Sequence, residues 1–262
     1  MGALLQYWRK ARHLSQLGLA AEAEVSSRHV CFVETGRASP SRDMVLRLSR
    51  VLDLPLRERN TLLLAAGFAP MYQETKLEAP ELSSVRAALD AILRQQEPFP
   101  AVVMNRYWDI LGRNEAARHF FKFLLGDRAP AVPGNVLRMM FDPNGVRPFV
   151  ENWPAVAEAL VQRVHRECVG GVTDERTRAL LAELLAYPGV PRSWHKASPG
   201  TPMFPVVPVT FVKEGQRYNF FSTVTTLGTP QDITVQEIRI ECFFPVDTAT
   251  ESAARKLSYR TS

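Results

Sequence analysis

Apolar positions recur at helical spacing through the first quarter of the chain. Leu17, Leu19, Ala20 and Ala23 mark one short segment, Val30 and Val33 a second, and Val45, Leu48, Val51 and Leu52 the longest face. The pattern predicts five helices, over roughly Ala3–Arg12, Ser15–Ala23, Ser26–Glu34, Pro40–Leu52 and Leu56–Ala66. End signals agree: Ser15 and Ser26 suit N-caps, Ser39 with Pro40 an N-cap and first-turn proline, and Gly36 and Gly67 left-handed C-terminal caps. The second and third helices are too short to be stable alone, and only Glu24, Val25 and Ser26 connect them. Two short helices joined by so tight a turn are the sequence form of a helix-turn-helix.

Periodicity then stops. The segment from Ala69 to Glu81 carries two prolines and reads as a linker, followed by a helix with Leu82, Val85, Leu89 and Ile92 on one face, placed to bridge domains or to pair two subunits. From Pro98 the chain predicts a strand, a tight turn near Asn105, a second strand from Trp108 to Leu111 and a helix beginning at Asn114. The stretch from Val132 to Tyr187 reads as helical. Three β-branched and aromatic segments follow, "VVPVTFV", "YNFFSTVTTL" and "TVQEIRIECFF", with Glu214 and Gly215 as a hairpin turn between the first two. The expected fold is an all-α helix-turn-helix domain over residues 1–69, a linker and connecting helix over 70–97, and an α+β domain over 98–262. Its five-stranded antiparallel sheet would carry helices against one face.

Charge sharpens the division. Of the net +5 over 262 residues, most lies between Met1 and Ala69, where ten Lys and Arg face six Asp and Glu. Only that quarter looks like a polyanion binder. No window approaches the roughly 18 apolar residues of a membrane span, and the start has no apolar signal-peptide core, so the expected location is cytoplasmic with no membrane partner. The start "MGALLQ" has glutamine where an acylation signal needs serine or threonine. Cys31, Cys168 and Cys242 are far apart and odd in number, which fits a reducing compartment.

Catalytic and metal chemistry find little support. Histidines 13, 29, 119, 165 and 195 have no metal-ligand spacing, and "HREC" at 165–168 lacks the downstream PCxxC of a zinc deaminase. A haem sensor would need an axial ligand, and His119 stands without supporting signals. With no GxGxxG, P-loop or GxSxG motif, neither a catalytic residue, a metal nor a required cofactor is expected.

In a helix-turn-helix, the N-terminal end of the second helix meets base edges in the major groove. Here that end is Ser27, Arg28 and His29, with Arg28 able to fork onto guanine. Gln16 opens the preceding helix, within reach of a base or phosphate. Thr35, Gly36, Arg37 and Arg42 are placed for backbone contacts, which set position and salt dependence.

These residues resemble the phage-repressor-type (Xre/Cro) DNA-binding domain, through "LSQ" at 14–16, "VSSRHV" at 25–30, "VETG" at 33–36 and "PSRDMVLRLSRVLDLP" at 40–55. The resemblance implies that Arg9 and Glu34 form an internal, structural ion pair. Phe32 departs from the family's frequently polar position; contact with a thymine methyl and packing against neighbouring protein both remain open. Further on, "NWPAVAEALVQRVHREC" and "TTLGTPQDITVQEIRIECFFPVDTAT" resemble the MmyB-like regulators, bacterial transcription factors with a C-terminal PAS-like ligand-binding domain.

That resemblance implies an apolar pocket with an acyl chain, such as a bound fatty acid, as occupant. Candidate lining residues are Val103, Trp108, Leu111, Phe120, Phe121, Leu137, Met140, Phe141, Trp153, Phe220 and Ile240, with Arg138, Asn152 and His195 to hold a carboxylate. Each apolar residue has plain core as its alternative, and Arg138 a surface acid as its partner. The expected protein is a homodimeric regulator binding a double-stranded operator and a small apolar ligand. The alternative is a C-terminal domain serving as a protein-interaction module without ligand.

Overall fold

The structure, a computed structural model, describes residues 1–129, 134–170, 174–195 and 208–259. Two compact units emerge: one combines Met1–Lys76 with Thr229–Gln236, the other the described parts of Leu77–Val169, Asp174–Gly228 and Glu237–Ser262.

The first unit begins with α1 (Gly2–Ala11), α2 (Gln16–Glu22), α3 (Ser27–Glu34), α4 (Arg42–Val51) and α5 (Leu56–Ala65). Ser15 and Ser26 cap α2 and α3 through Gly18 N (2.9 Å) and His29 N (3.1 Å). The cap of α4 is Ser41, which accepts from Met44 N, and the helix starts at Arg42; the expected Ser39–Pro40 start lies two residues too early. Leu5, Trp8, Leu19, Val30, Val45, Leu48 and Leu62 fill the core between these helices. Gly2 is required by close approach, since a Cβ there would lie 2.3 Å from the Glu34 carbonyl oxygen. At Gly36 (φ 74) the chain leaves α3 through paired bonds, Arg37 N to Phe32 O (2.8 Å) and Gly36 N to Val33 O (3.2 Å).

The segment after α5, expected as linker, is tied down as far as Thr75. Asn60 accepts from Met71 N and Tyr72 N (2.9 and 3.0 Å) and donates to Tyr72 O (2.7 Å). The chain distant in sequence joins it: Ile233 N donates to Gln73 O (2.8 Å) and Thr75 N to Asp232 Oδ2 (3.1 Å).

The second unit runs α6 (Ser83–Gln95), β1 (Ala101–Met104), β2 (Ile110–Arg113), α7 (Glu115–Leu125), α8 (Val136–Phe141), α9 (Trp153–Gly170), α10 (Glu175–Ala186), β3 (Val209–Lys213) and β4 (Gln216–Thr225). After α11 (Ile233–Glu237), which straddles the two units, come β5 (Arg239–Pro245) and α12 (Thr248–Tyr259). The sheet has the order β2-β1-β5-β4-β3, and each neighbouring pair is antiparallel. Glu214 and Gly215 make the β3–β4 turn with φ 53 and 75. Asn114 caps α7 through Ala117 N (2.9 Å) and accepts from Ala101 N (2.9 Å), joining helix to strand.

Alternation along β1 sends side chains to two cores. Val102 and Met104 join the main core with α7, α9 and β3–β4, whereas Ala101 and Val103 pack with Leu89 and Leu93 of α6. Both faces of the sheet are therefore covered, a correction to the single covered face expected, and α6 supplies the second cover. Two strand boundaries also move. Trp108 lies in a turn at φ 66 rather than in β2, and "TVQE" is helical because Asp232 Oδ1 caps it through Thr234 N (2.8 Å), overriding the β-branched residues.

Candidate functional site

In the first unit, Ser27 and Arg28 stand exposed on the first turn of α3, and Thr35, Gly36, Arg37 and Arg42 are exposed beyond it. Phe32 is half-buried, with the Arg28 and Arg37 guanidinium carbons 5.1 and 6.0 Å from its ring centroid. Its aromatic face thus supports two cations, one of them the candidate base reader. Gln16, expected within reach of a base or phosphate, donates one Nε2 hydrogen to Glu34 Oε2 (2.7 Å), which orients its amide at the start of α2.

Glu34 also receives Arg9, through Nε to Oε1 (2.6 Å) and Nη2 to Oε2 (2.9 Å), and Arg9 Nη1 reaches Leu14 O (2.9 Å). Burial raises the Glu34 pKa, but the hydrogen bonds from Arg9 and Gln16 and the Arg9 charge outweigh it and hold the carboxyl below its usual range. The pair ties α1 to the end of α3 and so fixes the helix that carries Arg28.

The pocket candidates of the second unit separate into several groups. Trp108, Phe120, Leu137, Phe141, Trp153 and Phe220 share the main core, and Phe121 and Met140 pack against it partly exposed. Val103 and Ile240 are corrections, because both point to the α6 side of the sheet, where they pack with Leu89 and Leu93. Leu111 is 39% exposed on the edge strand β2 and lines no interior. Among the polar candidates, Arg138 is claimed by Glu183 in a bidentate pair (2.8 and 2.9 Å). Asn152 is claimed by backbone, donating to Pro208 O (2.7 Å) and accepting from Thr210 N (3.0 Å). The side chain of His195 lies outside the described residues.

Sequence reasoning missed Arg239 and Glu241 on β5, Ser222 on β4, and Arg163 and Glu167 on α9. In "RIECFF" the charges alternate with Ile240 and Cys242, which reads as a solvated face; the register instead sets Glu241 opposite Val102 and Arg239 opposite Met104, on the main-core side. It also missed Gln236, whose Oε1 accepts from Leu56 N (2.7 Å) at the start of α5, where Pro55 makes no side-chain cap.

A helix-turn-helix unit and a separate α+β unit define a DNA-binding transcription regulator with a ligand-binding domain: residues 5–59 match the model of a helix-turn-helix and residues 85–257 that of the MmyB-like transcription regulator ligand binding domain. The chain belongs to this MmyB-like family, whose members are of transcription-regulator type. No curated protein matches it in a whole-sequence comparison. Among the described residues, no helix is long and apolar enough to cross a membrane.

Proposed function

We propose that the chain acts as a homodimer that reads a DNA operator through α3 and changes its DNA affinity when the second unit takes up a small apolar ligand, an acyl compound such as a fatty acid. The observation that carries this reading is the segment Thr229–Gln236. It leaves β4 and returns to β5 of the ligand-binding sheet, yet it belongs to the DNA-binding unit, where Asp232, Ile233 and Gln236 bind Thr75, Gln73 and Leu56. A ligand that shifts β4 against β5 pulls directly on the cap of α5, and linkage then requires DNA to alter ligand affinity by the same factor.

Native mass spectrometry of the protein tests the ligand and assembly together: the expected species is a dimer that releases a molecule of fatty-acid mass on denaturation. A protein that neither carries nor takes up an acyl compound would remove the ligand from the proposal, and a monomer at micromolar concentration would remove the dimer. Gln236→Ala should lower the stability of the first unit by about 1 kcal/mol, as loss of a helix cap does. It should also shrink the effect of added fatty acid on operator affinity. An undiminished effect in a gel-shift titration would take the coupling role from this segment.

DNA contacts separate by their salt and sequence dependence. Arg28→Ala is expected to cost about 1–3 kcal/mol of discrimination at one base position across a set of operator variants. Arg42→Ala should weaken binding to every sequence and lower the slope of log affinity against log salt by about one. Uniform loss on Arg28→Ala, or an unchanged slope on Arg42→Ala, would reverse those assignments.

A further inference from the structure

At about 3.6 residues per turn, Arg28, Phe32 and Thr35 fall on the face of α3 opposite Val30, Val33 and Glu34, which are buried in the first unit. Phe32 is therefore an apolar ring on the side of the helix that enters the groove. Among the described residues it is not one of the side chains that pack against the core of this unit. It is half-buried, with the Arg28 and Arg37 guanidiniums over its ring at 5.1 and 6.0 Å from the centroid. The backbone beneath the ring is held: the Phe32 carbonyl accepts from Arg37 N (2.8 Å) and Ala38 N (3.2 Å), closing the end of α3.

A phenyl ring has no donor for a phosphate oxygen or for a base nitrogen or oxygen, and covering such acceptors without a hydrogen bond costs binding energy. The apolar group that base edges present in the major groove is the C5 methyl of thymine. Arg28, one helical turn before Phe32, is the residue assigned to the O6 and N7 of guanine. Its guanidinium carbon lies 5.1 Å from the ring centroid, more than one base step of about 3.4 Å and less than two. The two side chains thus address neighbouring base pairs.

We infer that Phe32 is a specificity-determining residue, packing on the methyl of a thymine in the base pair next to the guanine that Arg28 reads. The inference rests on α3 being the helix that reads DNA. The ring holds the Arg28 guanidinium in place before DNA arrives, and the methyl then shields from water the part of the ring that the guanidiniums leave uncovered.

The test uses duplexes that the full-length protein selects from a random-sequence pool, compared at one salt concentration. The selected site should hold a guanine whose preference Arg28→Ala relaxes, with thymine in an adjacent base pair. Replacing that thymine by deoxyuridine deletes the methyl and keeps every hydrogen-bonding group. It should weaken binding about fourfold, the weight of one buried methyl. Cytosine there should also bind more weakly, and 5-methylcytosine should recover about fourfold of that loss. Phe32→Ala should bind the thymine and deoxyuridine duplexes equally. No thymine beside the guanine, an affinity indifferent to deoxyuridine, or a penalty that survives in Phe32→Ala would overturn the role of Phe32 while leaving Arg28 in place. A pool that yields no common sequence, or a guanine preference that Arg28→Ala leaves intact, would overturn the reading of DNA by α3 and this inference with it. If Phe32→Ala does not fold, the deoxyuridine comparison on the unaltered protein decides.

Discussion

Arg9→Met is expected to unfold the DNA-binding unit under conditions where the parent is stable. The Glu34 side chain is fully buried and Arg9 nearly so, and they share two hydrogen bonds of 2.6 and 2.9 Å. Methionine keeps the length of the arginine stem but leaves a buried carboxylate with Gln16 as its remaining side-chain donor. Removing one partner of such a pair costs about 3–5 kcal/mol, against a total of roughly 5–15 kcal/mol for a domain. Hydrogen exchange over α1 to α3 in the full chain measures it, and protection should fall by two orders of magnitude or more, about 1.4 kcal/mol per factor of ten. A loss of under about 1 kcal/mol would place the pair with ordinary surface bridges.

The sign of the pH dependence gives a second check on the same pair. Because the folded Glu34 pKa is depressed, its stabilising contribution is present above the unfolded carboxylate value of about 4.3 and is lost as pH falls through the folded value. The parent should therefore lose part of the stability of this unit on acidification below about pH 4, and Arg9→Met should lack that component.

Local rules made the first unit legible. The N-caps at Ser15 and Ser26 and the left-handed exit at Gly36 are decided by residues within five positions of one another, and the structure forms all three. The element order of the second unit was legible for the same reason, since Asn114 and the Glu214–Gly215 turn also act locally. What the sequence concealed depends on partners far along the chain. Whether Arg239 and Glu241 face water or core follows from pairing β5 with β1, about 138 residues apart, and period-two alternation alone cannot say which side is covered. Gln236 is an unremarkable polar residue until the fold places it at the start of α5. Arg138 and Asn152 were chosen by residue type, but type does not reveal that Glu183 and the backbone near β3 already satisfy them.

The same distinction between type and placement sets the expected result at Phe120, which served both as a pocket candidate and as a core residue. It is 4% exposed, and its ring meets Phe211 at 5.1 Å, Tyr218 and Phe220 at 5.6 Å, and Phe121 at 6.3 Å between centroids. Phe120→Ala removes the ring on which these four converge and should destabilise the second unit by about 3–5 kcal/mol, through lost burial and the cavity left behind. Leu111→Ala, at an exposed edge position, should change stability by under about 0.5 kcal/mol and controls for the loss of an apolar side chain as such. Urea unfolding of the two variants measures the contrast. Should Phe120→Ala instead cost less than about 1 kcal/mol and tighten the binding of a bulkier acyl probe, Phe120 would line ligand space and the core would close without it. If it is core, the cavity is dry and apolar, and a small apolar solute that fills it should restore stability in proportion to its occupancy, an effect the parent protein would not show.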